Sequence, residues 1–323
     1  MSALRAAAPA KVNLGLWLGP VRAYDARHEL VSVMQSISLA DEVTLAPCAP
    51  GAGRDEVSCP GVPGAAEENL ATRALKAFRD ATGRPRAPQR LTIVKRIPVA
   101  AGLGGGSADA GATLRLLRRA TGAGDERLLA EIAQSLGADV PAQVTPGRWL
   151  AGGAGERLER LPAPSAPLEL LVLPLAAGLS TAAVYREADR LGLSRTTRVL
   201  ARRASELREA LAGGDPLPQT RLLHNDLQRA ACSLQPAIQR LLAEARDAGA
   251  PASFVSGSGP TVVAAFAGPG ARGQARRAAA LLSGRVPSVL RARSVAAGSG
   301  RVRAAAVPVP AGQLSGSPPR IAS

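Results

Sequence analysis

The chain has 323 residues, enough for one large domain or two ordinary ones with real cores. Hydrophobic residues make up 46% and aromatics only 2%, so Ala, Leu and Val must do the packing; no apolar run is long enough for a membrane span. The net charge of +15 raises the question of nucleic acid, but the excess is nearly all arginine, scattered along predicted helices, and the stacking aromatics of a single-strand binder are scarce. The composition therefore argues against nucleic-acid binding as the main role and equally serves an anionic small molecule.

Lys11 and Asn13 interrupt the apolar start, which makes a poor secretory signal and leads to an expectation of a cytoplasmic protein. Cys48, Cys59 and Cys232 are an odd set without metal-type spacing and read as free thiols in a reducing compartment. Lys11, Lys76 and Lys95 are the only lysines in a chain that otherwise uses arginine, so each invites a reason specific to an ammonium.

In chain order, residues 10–18 read as a strand, and 27–39 and 41–47 as two more. A Gly/Pro/Ala-rich loop covers 50–66. Leu70, Ala74, Leu75 and Phe78 recur at helical spacing within 68–83, which stops at Gly83. Strand 90–97 runs into the glycine cluster; helices follow over 107–122, with Leu114, Leu116 and Leu117 inward, and over 125–137. Strands at 148–152 and 168–175 precede helices at 181–191, 196–213 and 226–249. Residues 252–266 read as strand, glycine turn, strand; a basic helix (272–284) and a strand (288–297) close the fold. The Pro/Ser/Gly-rich end predicts a disordered tail. The linker-like "RLPAPSAP" supports domains of 1–162 and 163–300, with 301–323 as the tail.

The stretch "PVAAGLGGGSADAG" (98–111) sits between a strand and a helix, the setting in which backbone N–H groups and a helix start form an anion cradle. It is not a Walker loop, because no lysine follows Gly106, and not a dinucleotide fingerprint, because Ser107 holds the third glycine slot. A ligand-free tight turn is the remaining alternative.

Pro98 to Ala108 resembles the nucleotide loop of the GHMP kinase superfamily. "PAKVNLGLWLG" (9–19) and "SGSGPTVVAAF" (256–266) resemble the first and third motifs of that superfamily, in the same order. Finer details are similar to the 4-diphosphocytidyl-2-C-methyl-D-erythritol kinase family: Pro9 to Leu14; Asp25, His28 and Leu30 of "YDARHEL"; Asn69 and Leu70; Leu136 to Pro141; and Ser180, Thr181, Val184 and Tyr185. Ala26 and Arg27 depart from that pattern, which has a glycine and an aromatic there.

The resemblance implies a two-domain α+β GHMP fold, an S5-like N-terminal domain and a ferredoxin-like C-terminal one, with ATP and substrate in the cleft between them. It implies transfer of the γ-phosphoryl of ATP to a hydroxyl of a small molecule carrying a cytidine diphosphate group. Lys11 and Asp139 match the catalytic pair, Asp139 as base. Carboxylates are ionised at neutral pH. The Val140-Pro141 pair disfavours helix at 140 and would fix Asp139 on a loop. The ATP loop would comprise Pro98, Val99, Ala100, Ala101, Gly102, Leu103, Gly104, Gly105, Gly106, Ser107 and Ala108, with Lys95 contacting nucleotide. Mg²⁺ would bind through phosphate and water rather than a protein metal cage. Asp109 reads as an N-terminal helix acid and Lys76 as a solvated charge. At the cytidine end the candidates are Asn13, His28, as a base-edge partner or a plain surface histidine, and Tyr185 as a stacking face. Arg27 offers either a guanidinium in place of the aromatic or a shifted substrate preference. Thr181, Ser256, Gly257, Ser258 and Gly259 would close over phosphates or polyol, unless the glycine turn is a simple hairpin. A monomer or homodimer is expected. The rivals are another GHMP kinase, of homoserine or mevalonate type, and a non-catalytic phospholigand- or nucleic-acid-binding protein.

Overall fold

The first predicted strands lengthen into one long antiparallel hairpin, β1 (Leu4–Val21) and β2 (His28–Pro47), in the computed structural model, which describes residues 3–176, 178–217 and 222–305. The two predicted strands at 27–39 and 41–47 are a single element. The pairing shifts register between Pro9 and Lys11, between Asn13 and Gly15, and between Leu18 and Val21. Each bulge re-aims the side chains that follow it. Ala10, Val12 and Leu14 face a core shared with β2; beyond Gly15 it is Trp17 that faces this core, while Leu16 and Leu18 enter a second one.

β4 (Gln89–Val94) pairs with β2, and β3 (Glu56–Ser58), inside the predicted 50–66 loop, pairs parallel to β4. β5 (Arg148–Gly152) pairs with the inner part of β2 and with β6 (Arg157–Arg160). Against this sheet pack α1 (Leu70–Thr82), capped by Asn69 and ended by left-handed Gly83; α2 (Gly105–Thr121); and α3 (Glu126–Leu136), capped by Asp125. Leu114, Leu116 and Leu117 are fully buried, as the spacing predicts.

The second sheet has the order β10-β7-β9-β8, all antiparallel: β7 (Glu169–Leu173), β8 (Ala252–Val255), β9 (Val262–Phe266) and β10 (Leu290–Arg293). With its first strand between the last and the third, it has the ferredoxin-like arrangement. α5 (Thr181–Arg190), α6 (Thr197–Leu211), α7 (Leu227–Leu234) and α8 (Ala237–Asp247) lie between β7 and β8 in sequence, and α9 (Ala271–Leu282) between β9 and β10. The single helix predicted over 226–249 is two, because Pro236 holds Gln235 extended and restarts the helix.

Two features tie the halves together. Leu200, Leu207 and Leu211 of α6 and Leu170 and Val172 of β7 belong to the first core, although they lie beyond residue 162. Residues 302–304, placed by sequence in a disordered tail, form a strand, β11 (Val302–Ala304), on the free edge of β1. The remainder of that tail, from residue 306, lies outside the described residues. Half-buried Arg115 holds this end in place by donating to the carbonyls of Ala7, Gln143 and Gly300. The three cysteines are unpaired, and no described helix is long and apolar enough to cross a membrane.

Candidate active site

A cavity of about 1150 Å³ opens between the first sheet with α2 and the start of α5. Lys11 and Asn13 enter it from the segment of β1 between two bulges, which lets a strand buried on both faces present two polar side chains at one place. Lys11 Nζ donates to Asn13 Oδ1 at 2.8 Å and lies 3.3 Å from Asp139 Oδ2. Asn13 in turn donates to Ser32 Oγ, which donates to the carbonyl of Gly15, so the ammonium rests on a fixed chain of hydrogen bonds.

Asp139 stands before a short helix, α4 (Val140–Val144). Val140, expected to stay extended ahead of Pro141, starts this helix instead; proline is tolerated in a first turn because its missing N–H is not needed there. The side chain of Asp139 makes no capping bond and remains about one-third exposed to the cavity.

Pro98 through Ser107 all line the cavity, whereas Ala108 is buried inside α2. The helix begins at Gly105, two residues earlier than the sequence indicates. Gly104 takes a φ of +68°, and a Cβ there would come within 3.0 Å of Lys11 Cγ, so this glycine makes the space the lysine stem uses. Gly102 has a φ of +73°, and a Cβ on it would strike the carbonyls of Gly259 and Ser256 at 2.6 and 2.7 Å. The two glycine turns therefore touch backbone to backbone, and Ser256 Oγ donates to Gly102 O. Ser256 and Gly259 stand behind the wall in this contact; Gly257 and Ser258 line the cavity, with Ser258 Oγ 3.0 Å from Thr181 Oγ1.

Sequence reasoning missed what holds the second turn: Asn225 donates to the carbonyls of Val255 and Gly257 and accepts from Leu227 N. One asparagine just ahead of a helix carries no such signal.

Lys95 reaches the cavity wall beneath Gly105, but its ammonium donates to both Asp41 and Asp109. Asp109, expected as an N-terminal helix acid, lies past the first turn of α2, is 2% exposed and serves as a partner of Lys95. Burial pushes its carboxyl up to about 7 against the pull of Lys95. For Lys95, burial lowers the ammonium and the two carboxylates more than offset it, so its net shift is upward. Among the described residues no group of three or more His, Cys, Asp or Glu side chains is placed to hold a metal ion.

At the other end stand Arg27, His28, Thr181 and Tyr185. His28 is buried, with Nδ1 2.9 Å from Gly19 O, and its ring lies 5.4 Å from that of Tyr185 at 48°. It is not a plain surface histidine. Burial, then the charge of Asp139, pushes the Tyr185 phenol up to about 12. Arg27 donates to Ala154 O on the β5–β6 turn. Ala26 adopts a φ of +55°, so the conformation for which the family pattern has glycine is kept without it. Asp25 shapes this turn by pairing with Arg22 and accepting from Arg27 N. Asp189, one helical turn after Tyr185, also faces the cavity and has no sequence motif of its own.

The two-sheet α+β fold, with a glycine-rich strand-to-helix loop, a second glycine turn against it and Lys11 beside Asp139, is that of a GHMP kinase. Residues 69–147 match the GHMP kinases N-terminal domain and residues 205–281 the GHMP kinases C-terminal domain. A 4-diphosphocytidyl-2-C-methyl-D-erythritol kinase of Anaeromyxobacter dehalogenans is 43% identical over 294 residues, covering 86% of this chain and 84% of that protein. The crystal structure of a 4-(cytidine 5'-diphospho)-2C-methyl-D-erythritol kinase superposes with a TM-score of 0.71 at 32% identity, covering 90% of this chain and 98% of that one. The chain belongs to the 4-diphosphocytidyl-2-C-methyl-D-erythritol kinase family. The mevalonate kinase of L. major, solved with R-mevalonate, shares the fold alone at 17% identity and a TM-score of 0.64, over 90% of this chain and 95% of that one.

Proposed function

We propose that this protein phosphorylates the 2-hydroxyl of 4-diphosphocytidyl-2-C-methyl-D-erythritol at the expense of ATP, a step of the methylerythritol phosphate route to isoprenoids. The observation that carries the reading is the 3.3 Å pairing of Lys11 Nζ with Asp139 Oδ2 at the mouth of the glycine loop. An anion cradle alone would serve a binding protein; a carboxylate held beside a buried ammonium supplies what a kinase needs in addition.

The N–H groups of residues 102–107 and the start of α2 hold the triphosphate. Asp139 takes the proton of the substrate hydroxyl as its oxygen bonds to the γ-phosphorus, and the bond to the β-phosphate oxygen breaks to release ADP. Lys11 holds Asp139 in place and offsets charge on the transferring group. Mg²⁺, when bound with ATP, would neutralise phosphate charge, and the Ser107 hydroxyl is an oxygen ligand this chain offers at the loop. Lys95, tied to Asp41 and Asp109, supports the loop from below Gly105. Arg27, His28 and Tyr185 take the cytosine, Asn13 supports Lys11 beside them, and Thr181, Gly257 and Ser258 face the diphosphate and polyol, with Ser256 and Gly259 behind.

The test is turnover of a panel of acceptors by the purified protein with ATP and Mg²⁺. The cytidine diphosphate substrate is expected to be phosphorylated and homoserine and mevalonate not. Asp139→Asn is expected to lower kcat by about 10²–10⁴-fold while ATP still binds. An unimpaired Asp139→Asn enzyme would remove the base assignment, and turnover of mevalonate or homoserine alone would replace the substrate.

A further inference from the structure

We propose that Asn225 is a positioning residue for phosphoryl transfer: from behind the second glycine turn it keeps the backbone N–H of Ser258 turned into the cavity as a donor to phosphate oxygens. The inference rests on the reading of that cavity as a kinase site.

Asn225 is buried and does not line the cavity. Its amide nitrogen donates to the carbonyls of Val255 and Gly257, each at 2.8 Å, and its amide oxygen accepts from Leu227 N at 2.9 Å. An amide turned the other way would set its oxygen against two carbonyls, so the partners fix which end donates, and both of its hydrogens are used. The place of Asn225 is set by β1: Leu16 N donates to His224 O, and Asp226 N donates to Leu16 O. Asn225 therefore registers the second glycine turn against the strand that carries Lys11.

The turn runs from Ser256 to Gly259 and is closed by Gly259 N donating to Ser256 O at 2.9 Å. Gly257 has a φ of +56° and Ser258 stays outside the left-handed region, which makes this a type II′ turn with glycine first of its two central residues. The peptide between them is trans, so its C=O and N–H point opposite ways. The Gly257 carbonyl points back at buried Asn225. The Ser258 N–H therefore points away from Asn225, to the side on which Gly257 and Ser258 line the cavity. It has no backbone partner among the described residues.

This donor stands next to the chemistry. A Cβ on Gly257 would lie 3.3 Å from Asn13 Oδ1 and 3.5 Å from Lys11 Nζ. The ammonium and the N–H thus address one anion from two sides. Glycine has no side chain to resist rotation of this peptide. Without Asn225 the Gly257 carbonyl loses its partner, and a half-turn of the peptide would set an acceptor where phosphate oxygens need a donor. A donor fixed in advance of reaction is what an anionic transition state uses best.

The test uses ligands that differ in their phosphates. Dissociation constants are measured for ATP beside adenosine and for CDP beside cytidine, in wild-type protein and in Asn225→Ala. The variant is expected to bind at least one of ATP and CDP about tenfold more weakly, with adenosine and cytidine bound as in wild type, and to lose about ten- to a hundredfold in kcat/KM. Weakening of CDP alone assigns the donor to the diphosphate of the acceptor, and weakening of ATP alone assigns it to the triphosphate. Asn225→Ser, which keeps a single donor, is read in the same way if Asn225→Ala does not fold. A folded variant that binds all four ligands as wild type does would overturn the inference. So would an equal loss for ligands with and without phosphate, which a merely structural asparagine would give. Wild-type protein that binds ATP but neither binds CDP nor phosphorylates the cytidine substrate would overturn the substrate reading and leave the ATP pair to decide this one.

Discussion

Gly104 and Lys11 compete for one space, and the glycine yields it. Gly104→Ala would add a Cβ within 3.0 Å of the Lys11 stem at a φ of +68°. The expected result is a folded protein whose kcat falls by about a hundredfold, since a displacement near 1 Å at a reacting group costs about that much; steady-state kinetics beside a melting curve checks it. Ala26 is the opposite case. Its φ of +55° is left-handed without a glycine to relieve it. Ala26→Gly is expected to stabilise the protein by about 1 kcal/mol, read as a higher denaturant midpoint. A third residue-scale effect follows from Asp109. Burial raises its carboxyl from 3.8 to about 7, so between those values the folded protein holds more protons than the unfolded chain. This group's contribution therefore costs stability as pH rises through that window. Asp109→Asn removes the titration, so its stability relative to wild type should rise from pH 4 to pH 7, measured by parallel denaturant titrations.

Among the elements, the glycine loop, helix α1 and the strand that carries Lys11 were legible because each has local chemistry: glycines between a strand and a helix, apolar residues at helical spacing before a glycine stop, a lysine in an arginine-rich chain. β3 and β11 were not. Each is three residues long and is defined by the strand it pairs with rather than by its own pattern. Asp41 and Asp109 were illegible as partners of Lys95 for the same reason: they are 68 residues apart in sequence and meet only because β2 and α2 pack together. Arg115 shows how an element boundary depends on distant groups, since its bonds to Ala7, Gln143 and Gly300 join three segments. Burial without a carboxylate partner lowers its guanidinium to about 10. Arg115→Met would orphan those carbonyls and is expected to cost about 2–4 kcal/mol, visible as a lower melting temperature. A chain ending at Arg301 should likewise be less stable than one ending at Ala305, because only the longer retains β11.

Across the whole molecule, the two sheets are joined less by a linker than by β1. Its outer part, with Ala10, Val12 and Leu14, fills the first core, and beyond the bulge at Gly15 its Leu16 and Leu18 fill the second. Lys11 and Asn13 lie just before the crossing point. This has a consequence for ancestry and for engineering. A lineage could not trade its second half for that of a cousin with another acceptor unless the end of the first strand changed with it, since Leu16 and Leu18 are already shaped to the incoming half. The same holds for a laboratory chimaera joined at residue 162: it would carry Lys11 on a strand whose far end belongs to the discarded partner. What second half such a fold can accept is written partly in its first twenty residues, far in sequence from α5.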